Sequence, residues 1–397
     1  MSNLVPVAEA LDALFALVAP LETEEVPLIA AAGRVLAHDA VAARTQPPFA
    51  ASAMDGYAVR AEDGAAGLTL DVVGESAAGH GWDGIVHPGQ AVRIFTGAPV
   101  PEGAGTVVIQ EDVTRSGDRI TLVETTAPGA NIRPEGNDFK IGDRMSAPRV
   151  LSPADVALAA SMNLPKLSVY RRPRVALIAT GDELVMPGET PAPDQIIASN
   201  SFGLKALFEA AGAEVRLLPI APDTSEGLAA VLDLAGDADM VVTIGGASVG
   251  DHDLVARVAG NLGLERAFYK IAMRPGKPLM CGRFGAALLI GLPGNPVSSM
   301  VCGTLFVVPA LRALQGLPAE ARAQRAGKLA RALGQNGPRE HYMRAQLTWR
   351  DGIAWIDPAP RQDSGLMSVL ASADCLLVRA PHADPATEGA DVAYIPL

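Results

Sequence analysis

Thr180-Gly181-Asp182-Glu183 follows the apolar run Val175–Ala179 and sets two carboxylates at the end of a buried strand. Carboxylates there are costly unless paired, solvated or bound to a cation. They read either as a solvated turn with Asp182 capping, or as a Mg²⁺ or acid/base position. Ala221-Pro222-Asp223-Thr224 follows the strand-like run Glu214–Ile220, and Asp223 or Thr224 could simply cap the helix that begins near Ser225. The third segment, Gly245-Gly246-Ala247-Ser248-Val249-Gly250-Asp251-His252-Asp253, follows the apolar run Met240–Ile244. Paired glycines let backbone N–H groups approach a phosphate, and the following helix adds its N-terminal dipole. Asp253 falls in that helix's first turn. In the fourth, Lys270, Arg274 and Lys277 reverse the sign of an acidic chain, as a solvated basic loop or as a dock for an oxyanion. The fifth, Gly291-Leu292-Pro293-Gly294-Asn295-Pro296, makes Asn295 an N-cap and Pro296 the first helical residue, with free N–H groups that suit an anion. Jointly these segments suit a nucleotide or phosphate substrate with a divalent ion, handled by positioning and electrostatics.

The elements that must carry these segments alternate. Strands are expected at 175–179, 214–220, 240–244, 268–272 and 286–290, and helices at 199–211, 225–234 and 251–259. That order describes an α/β domain with a mostly parallel sheet, in which ligands bind beyond the carboxyl ends of the strands. Upstream, Val7, Leu11, Leu14, Phe15 and Val18 predict an amphipathic helix within 3–20. Leu28–Leu36 reads as a short helix or turn. Ser152 and Pro153 open a helix to Asn163. Between them, β-prone runs at 68–73, 91–95, 106–110 and 119–123 describe a small β-rich module inserted into a discontinuous helical domain. After an Ala/Arg-rich helical connector (309–330), β-prone runs at 343–349, 354–356, 375–378 and 392–395 describe a small barrel-like domain, with a hairpin turn at Arg350-Asp351-Gly352. The expected domains are 1–44 with 146–172 (discontinuous N-terminal linker), 45–145 (inserted β-rich), 173–320 (α/β) and 321–397 (barrel-like).

The chain has 397 residues, enough for two or three domains of roughly 150 residues each. A net charge of −12 argues against non-specific binding to nucleic acid or anionic membranes. Residues 284–311 carry no charge, long enough to mimic a membrane span, but Pro293, Gly294, Pro296 and Pro309 break the run into a buried strand, a loop and a buried helix. Cys281, Cys302 and Cys375 are scattered and odd in number, which argues against disulfides and a cysteine zinc site and for a reduced cytosolic compartment. The N-terminus lacks the basic segment of a secretory signal.

Gly245-Gly246-Ala247-Ser248-Val249-Gly250 with Asp253, Arg274-Pro275-Gly276-Lys277-Pro278 and Gly291-Leu292-Pro293-Gly294-Asn295-Pro296-Val297-Ser298 resemble, in order, the motifs of the molybdopterin molybdenumtransferases. Ser52–Val59 resembles that family's signature loop, and Thr96–Pro99 and Asn131–Asp138 also fit. The resemblance covers nearly the whole chain. It implies a four-domain protomer with a molybdopterin-binding α/β fold, working as a homodimer whose active site is shared between subunits. It implies insertion of molybdate into adenylyl-molybdopterin, with release of AMP and a need for Mg²⁺ or a similar cation. It also implies a molybdopterin adenylyltransferase as upstream partner.

On their own, Asp55 reads as a turn residue and Thr96 as a strand-end hydroxyl. By resemblance both match positions that reach the site from the partner subunit, with Asp138 beside them. Glu183, Asp223 and Asp253 match the acidic, metal-holding set. Lys270, Arg274 and Lys277 match the cationic set, Arg274 standing where some members carry Lys. Gly245, Gly246, Ser248, Gly250, Pro293, Gly294 and Asn295 match substrate-binding positions. Arg344 and Ser364 match molybdate-pocket positions, or are a surface cation and a turn hydroxyl. Two other readings are a molybdopterin adenylyltransferase and a non-catalytic scaffold like the related gephyrin domain. The Gly-Gly-Ala-Ser-Val-Gly loop, in place of Gly-Gly-Thr-Gly, and the extra domains argue against the first, and the retained acid and base set argues against the second.

Overall fold

The structure, a computed structural model, describes residues 4–246 and 254–397. The chain forms two compact units: Met1–Glu24 with Gly33–Ala37 and Val169–Leu397, and Glu25–Ala32 with His38–Ser168.

The larger unit is built on six strands: β1 (Arg174–Ala179), β2 (Glu214–Leu217), β3 (Met240–Ile244), β4 (Leu264–Tyr269), β5 (Met280–Phe284) and β6 (Ala287–Leu292). Their order is β2-β1-β3-β6-β5-β4. The first four are parallel, and β5 and β4 are added antiparallel. Residue alternation gives the sheet two buried faces. Val175, Leu177, Met240, Val242 and Ile244 join a core with helices α1 (Val7–Phe15), α2 (Ser199–Ala210) and α5 (Pro296–Leu314). Ala176, Ile178 and Val241 join another with α3 (Ser225–Asp233) and α4 (Leu254–Asn261). Each fully buried Leu, Val or Ile in these layers stabilises by roughly 1.5–3 kcal/mol.

Helix α5 is long and apolar enough to cross a membrane by length, yet 89% of it is buried inside the protein. It is the core helix expected from the uncharged run. Its middle, Gly303–Val307, widens into a π turn immediately before Pro309. Proline has no N–H for the ladder, and its ring crowds the carbonyl four residues back, which the wider turn relieves.

A closed five-stranded barrel ends this unit: β7 (Arg325–Leu329), β8 (Glu340–Arg350), β9 (Ile353–Pro358), β10 (Cys375–Arg379) and β11 (Asp391–Pro396). Closure comes from the β8–β10 pairing, and β7–β9 is the parallel pair. The short strand Met273–Arg274 pairs with β8 at Glu340 and His341. The hairpin turn falls where its residues predict: Asp351 (φ 50°) and Gly352 (φ 75°) lie between the paired Arg350 and Ile353.

The smaller unit holds a six-stranded sheet in the order Thr106–Ile109, Gly56–Val59, Gln90–Ile94, Thr69–Ser76, Arg119–Leu122, Val113–Ser116. Four of these strands match β-prone runs. Gly56–Val59 and Val113–Ser116 are additional.

Several expectations are corrected. The N-terminal helix packs its Val7, Ala10, Leu11 and Leu14 face into the core of the α/β sheet, so it is no part of a discontinuous helical N-terminal domain. Besides that helix, the segments assigned to that domain carry the short strands Thr23–Pro27, Val35–Leu36, Ala40–Val41, Arg149–Val150 and Lys166–Tyr170 and a second helix, Pro153–Ser161. That helix has the expected Ser152 cap, closed into a reciprocal capping box by Asp155. The helical connector ends at Leu314, and 325–329 is a strand. Strand β5, between β6 and the edge strand β4, is a further addition to the sheet.

Candidate functional site

A cavity of about 690 Å³ opens where β1, β3 and β6 end, lined by residues of the larger unit alone. Its glycine turn has a steric reason. Gly245 (φ 88°) and Gly246 (φ 64°) are left-handed, and a Cβ on Gly245 would sit 2.8 Å from the Thr180 carbonyl oxygen. Only glycine lets the backbone after β3 lie against the loop after β1.

Glu183 and Asp223 line this cavity. Their loops are zipped together: Gly181 N donates to Ala221 O (3.2 Å), and Asp223 N donates to Asp182 Oδ1 (3.1 Å). Helix α3 is capped by Thr224, whose Oγ1 accepts from Gly227 N, so Asp223 is not spent on capping. Asp182 braces the loop, and Glu183 is the carboxylate that reaches the cavity.

Gly245, Gly246, Pro293, Gly294 and Asn295 line it as expected. Asn295 occupies the N-cap position of α5, but its side chain makes no capping hydrogen bond, so the amides behind it are not satisfied by that side chain. Ser248, Gly250 and Asp253 lie outside the described residues. Thr180 of the first loop, the α2 start Ser199-Asn200-Ser201 and Arg257 complete the polar lining, and sequence reasoning missed the last four. The three α2 residues were read only as helix positions. The available signal was a run of small polar residues opening a helix on the same sheet edge as the glycine loops. Arg257 stands out only as a charge among the apolar positions Leu254, Val255, Val258 and Ala259.

The cationic set is not brought into this cavity: of its segment, only Pro278 reaches the lining. Lys270 places Nζ 4.5 Å from the Tyr269 ring centroid. Arg274 is exposed and stands in register with His341 of β8. His341 is 7% exposed, and its Nε2 has no hydrogen-bond partner among the described residues. Burial and then the positive fields of Arg274, Arg344, Arg339 and Arg379 push its pKa down to about 4.

Arg344 is fully buried. Its Nη2 donates to the carbonyls of Asp363 (3.0 Å) and Arg361 (3.4 Å), while Nε and Nη1 have no partner among the described residues. Burial lowers its pKa, the Asp363 carboxylate opposes that, and Arg274 adds to it. A buried arginine with two idle donors is expensive, and it is a ready seat for an oxyanion. The surface-cation reading of Arg344 is therefore wrong. Ser364, in the same loop, accepts a hydrogen bond at its carbonyl from Val297 N in the first turn of α5.

In the smaller unit, Asp55 Oδ1 accepts from both Thr96 N (2.7 Å) and Thr96 Oγ1 (2.8 Å). These bonds hold the Asp55 carboxyl below its ordinary range. The loop that carries Asp55 is fixed by Gly56, where a Cβ would lie 1.9 Å from Val108 O. Asp138 is exposed, on the loop that closes through its N–H to Gln46 O.

Among the described residues no three His, Cys, Asp or Glu side chains form a metal cluster. The two cavity carboxylates still suit a hard cation, since Mg²⁺ usually takes one or two carboxylates with phosphate oxygens and water.

Three family models match in sequence: MoeA N-terminal region (domain I and II) over residues 5–163, probable molybdopterin binding domain over 176–313, and MoeA C-terminal region (domain IV) over 326–397. A molybdopterin molybdenumtransferase of Nostoc sp. is 37% identical over 373 residues, covering 90% of this chain and 85% of its own. That of Haemophilus influenzae is 41% identical over 300 residues, covering 75% and 74%. The crystal structure of the molybdopterin biosynthesis moeA protein from Pyrococcus horikoshii OT3 superposes with a TM-score of 0.84 at 30% identity, over all of both chains.

Proposed function

The chain belongs to the molybdopterin molybdenumtransferase family, and from that premise we propose that it inserts molybdate into adenylyl-molybdopterin, releasing AMP and the molybdenum cofactor. The observation that carries the reading is the cavity. It sets two carboxylates, a glycine turn and helix starts at one sheet edge, which suits a phosphoanhydride.

The Gly245-Gly246 turn faces the nucleotide phosphate with backbone rather than side chains. Glu183 and Asp223 would hold a divalent cation, Mg²⁺ or similar, and by resemblance Asp253 joins them. When bound, that ion neutralises charge on the phosphoanhydride oxygens. Thr180 and Asp182 keep the two carboxylate loops in register. Molybdate is a doubly charged oxyanion, and the idle Nε and Nη1 of Arg344 supply two donors of a planar fork. Ser364 and Arg274 join it, with Lys270 and Lys277 raising the local positive potential. Transfer leaves the dithiolene on the substrate, so the buried thiols Cys281, Cys302 and Cys375 take no part.

The protein acts as a homodimer in this proposal. Asp55, Thr96 and Asp138 of one copy complete the site of the other, and the adenylylated substrate comes from an adenylyltransferase in the cytoplasm. In support, Asp55 and Thr96 are locked together although neither serves a buried core. The test is AMP release by purified protein from adenylyl-molybdopterin with molybdate, with tungstate and with neither. Molybdate-dependent release supports the proposal. ATP consumption without molybdate would point to the adenylyltransferase reading, and binding without turnover to a scaffold.

A further inference from the structure

Helix α2 starts on the cavity, and among the described residues its first amides meet no hydrogen-bond acceptor. Its N-cap residue is Ala198, which has no side chain to cap with. Among the described residues no group accepts from the amides of Ser199, Asn200 or Ser201. At twelve residues, α2 presents a full N-terminal partial charge there.

The second observation is independent of the helix end. Ser201 is 9% exposed and lines the cavity, and its hydroxyl has no hydrogen-bond partner among the described residues. The hydroxyl is not sealed in the core, so it opens to the cavity and is available to a ligand. The neighbouring Asn200 is not idle: its Nδ2 donates to Gly294 O at 2.7 Å, tying the α2 turn to the loop before α5. That bond fixes the turn's position and leaves the Ser201 hydroxyl and the three amides as donors. Glu183 and Asp223 of the same lining repel an anion and suit a cation, so a phosphate is drawn to the α2 end of the cavity.

We propose that the first turn of α2 is a phosphate subsite, with Ser201 Oγ and the amides of residues 199–201 donating to a non-bridging phosphoryl oxygen of the substrate. The subsite deepens the functional reading above and rests on it. The same chemistry fits the nucleotide phosphate and the phosphate on the pterin side, and the experiment separates them.

The full chain and its S201A, S201T and S201D variants are titrated with adenylyl-molybdopterin, AMP and adenosine. S201A should weaken adenylyl-molybdopterin about tenfold, S201T should keep the affinity, and S201D should abolish binding by setting a carboxylate against the phosphate. Aspartate in a first turn favours the helix itself, so loss in S201D does not report unfolding. Adenosine should bind all four alike. A parallel loss for AMP assigns the turn to the nucleotide phosphate, and a loss confined to adenylyl-molybdopterin assigns it to the pterin side. Wild-type affinity of both S201A and S201D for adenylyl-molybdopterin overturns the proposal. A wild-type chain that binds adenylyl-molybdopterin but releases no AMP with molybdate defeats the functional reading instead, and the binding series still decides the subsite.

Discussion

His341 should make the barrel acid-labile in a window of its own. The imidazole is buried, paired in register with Arg274 on one side and Arg379 on the other, and its folded pKa is about 4 against an ordinary 6.5. Its charged form is disfavoured in the native state, so the unfolded chain binds the extra proton first. Stability is full above pH 6.5, falls as pH drops from 6.5 toward 4, and levels below that for this group. A drop from 6.5 to about 4, at roughly 1.4 kcal/mol per tenfold change in proton affinity, gives an upper figure of about 3–4 kcal/mol. The carboxylates with lowered pKa, Asp55, Glu22 and Asp155, act below their own ordinary range near 4, so the two windows separate. The assay is urea unfolding followed by tryptophan fluorescence at pH 7.5, 6.0, 5.0 and 4.5. Trp82 is replaced by Phe, so that Trp349 and Trp355 of the barrel report. His341→Leu should flatten the loss between pH 6.5 and 4.5. An unchanged acid slope in that variant would refute the reasoning.

Three further outcomes follow from the site. Asp223→Asn should abolish AMP release with an unchanged circular-dichroism spectrum, because Thr224 and not Asp223 caps α3; release at the wild-type rate removes Asp223 from the mechanism. Arg344→Lys should weaken molybdate by tenfold or more, read as a rise in KM for molybdate, because a point cation cannot replace two donors of a planar fork. Gly245→Ala should cost roughly 1–2 kcal/mol for the left-handed backbone, plus the clash with Thr180 O, read as a lower thermal midpoint and weaker AMP binding.

The α/β sheet was legible because its strands are short apolar runs punctuated by glycine and proline, and β1 and β3 fall within one residue of where their patterns place them. The barrel hairpin was legible from Asp351-Gly352 alone. The N-terminal helix was legible as a helix but not in its place, since an apolar stripe states that a face is buried and not against what. Strand β5 (MCGRF) reads too weakly to separate from its loop, and its pairing with β4 and β6 decides it. At the site, the carboxylate and glycine loops were visible because strand ends in an α/β fold converge. The Ser201 hydroxyl was not, because a serine in a helix start is ordinary until its lack of a partner is seen. The two idle donors of Arg344 likewise depend on the barrel wall that buries them.

The central claim, that the cavity at the ends of β1, β3 and β6 holds the phosphoanhydride of adenylyl-molybdopterin, is tested most directly by a crystal structure of the chain with that substrate bound and molybdate withheld. The account predicts the phosphoanhydride between the Glu183 and Asp223 carboxylates and the first turn of α2, with the nucleotide phosphate over Gly245 and Gly246. Substrate bound elsewhere, with Glu183 and Asp223 facing only solvent, would contradict it.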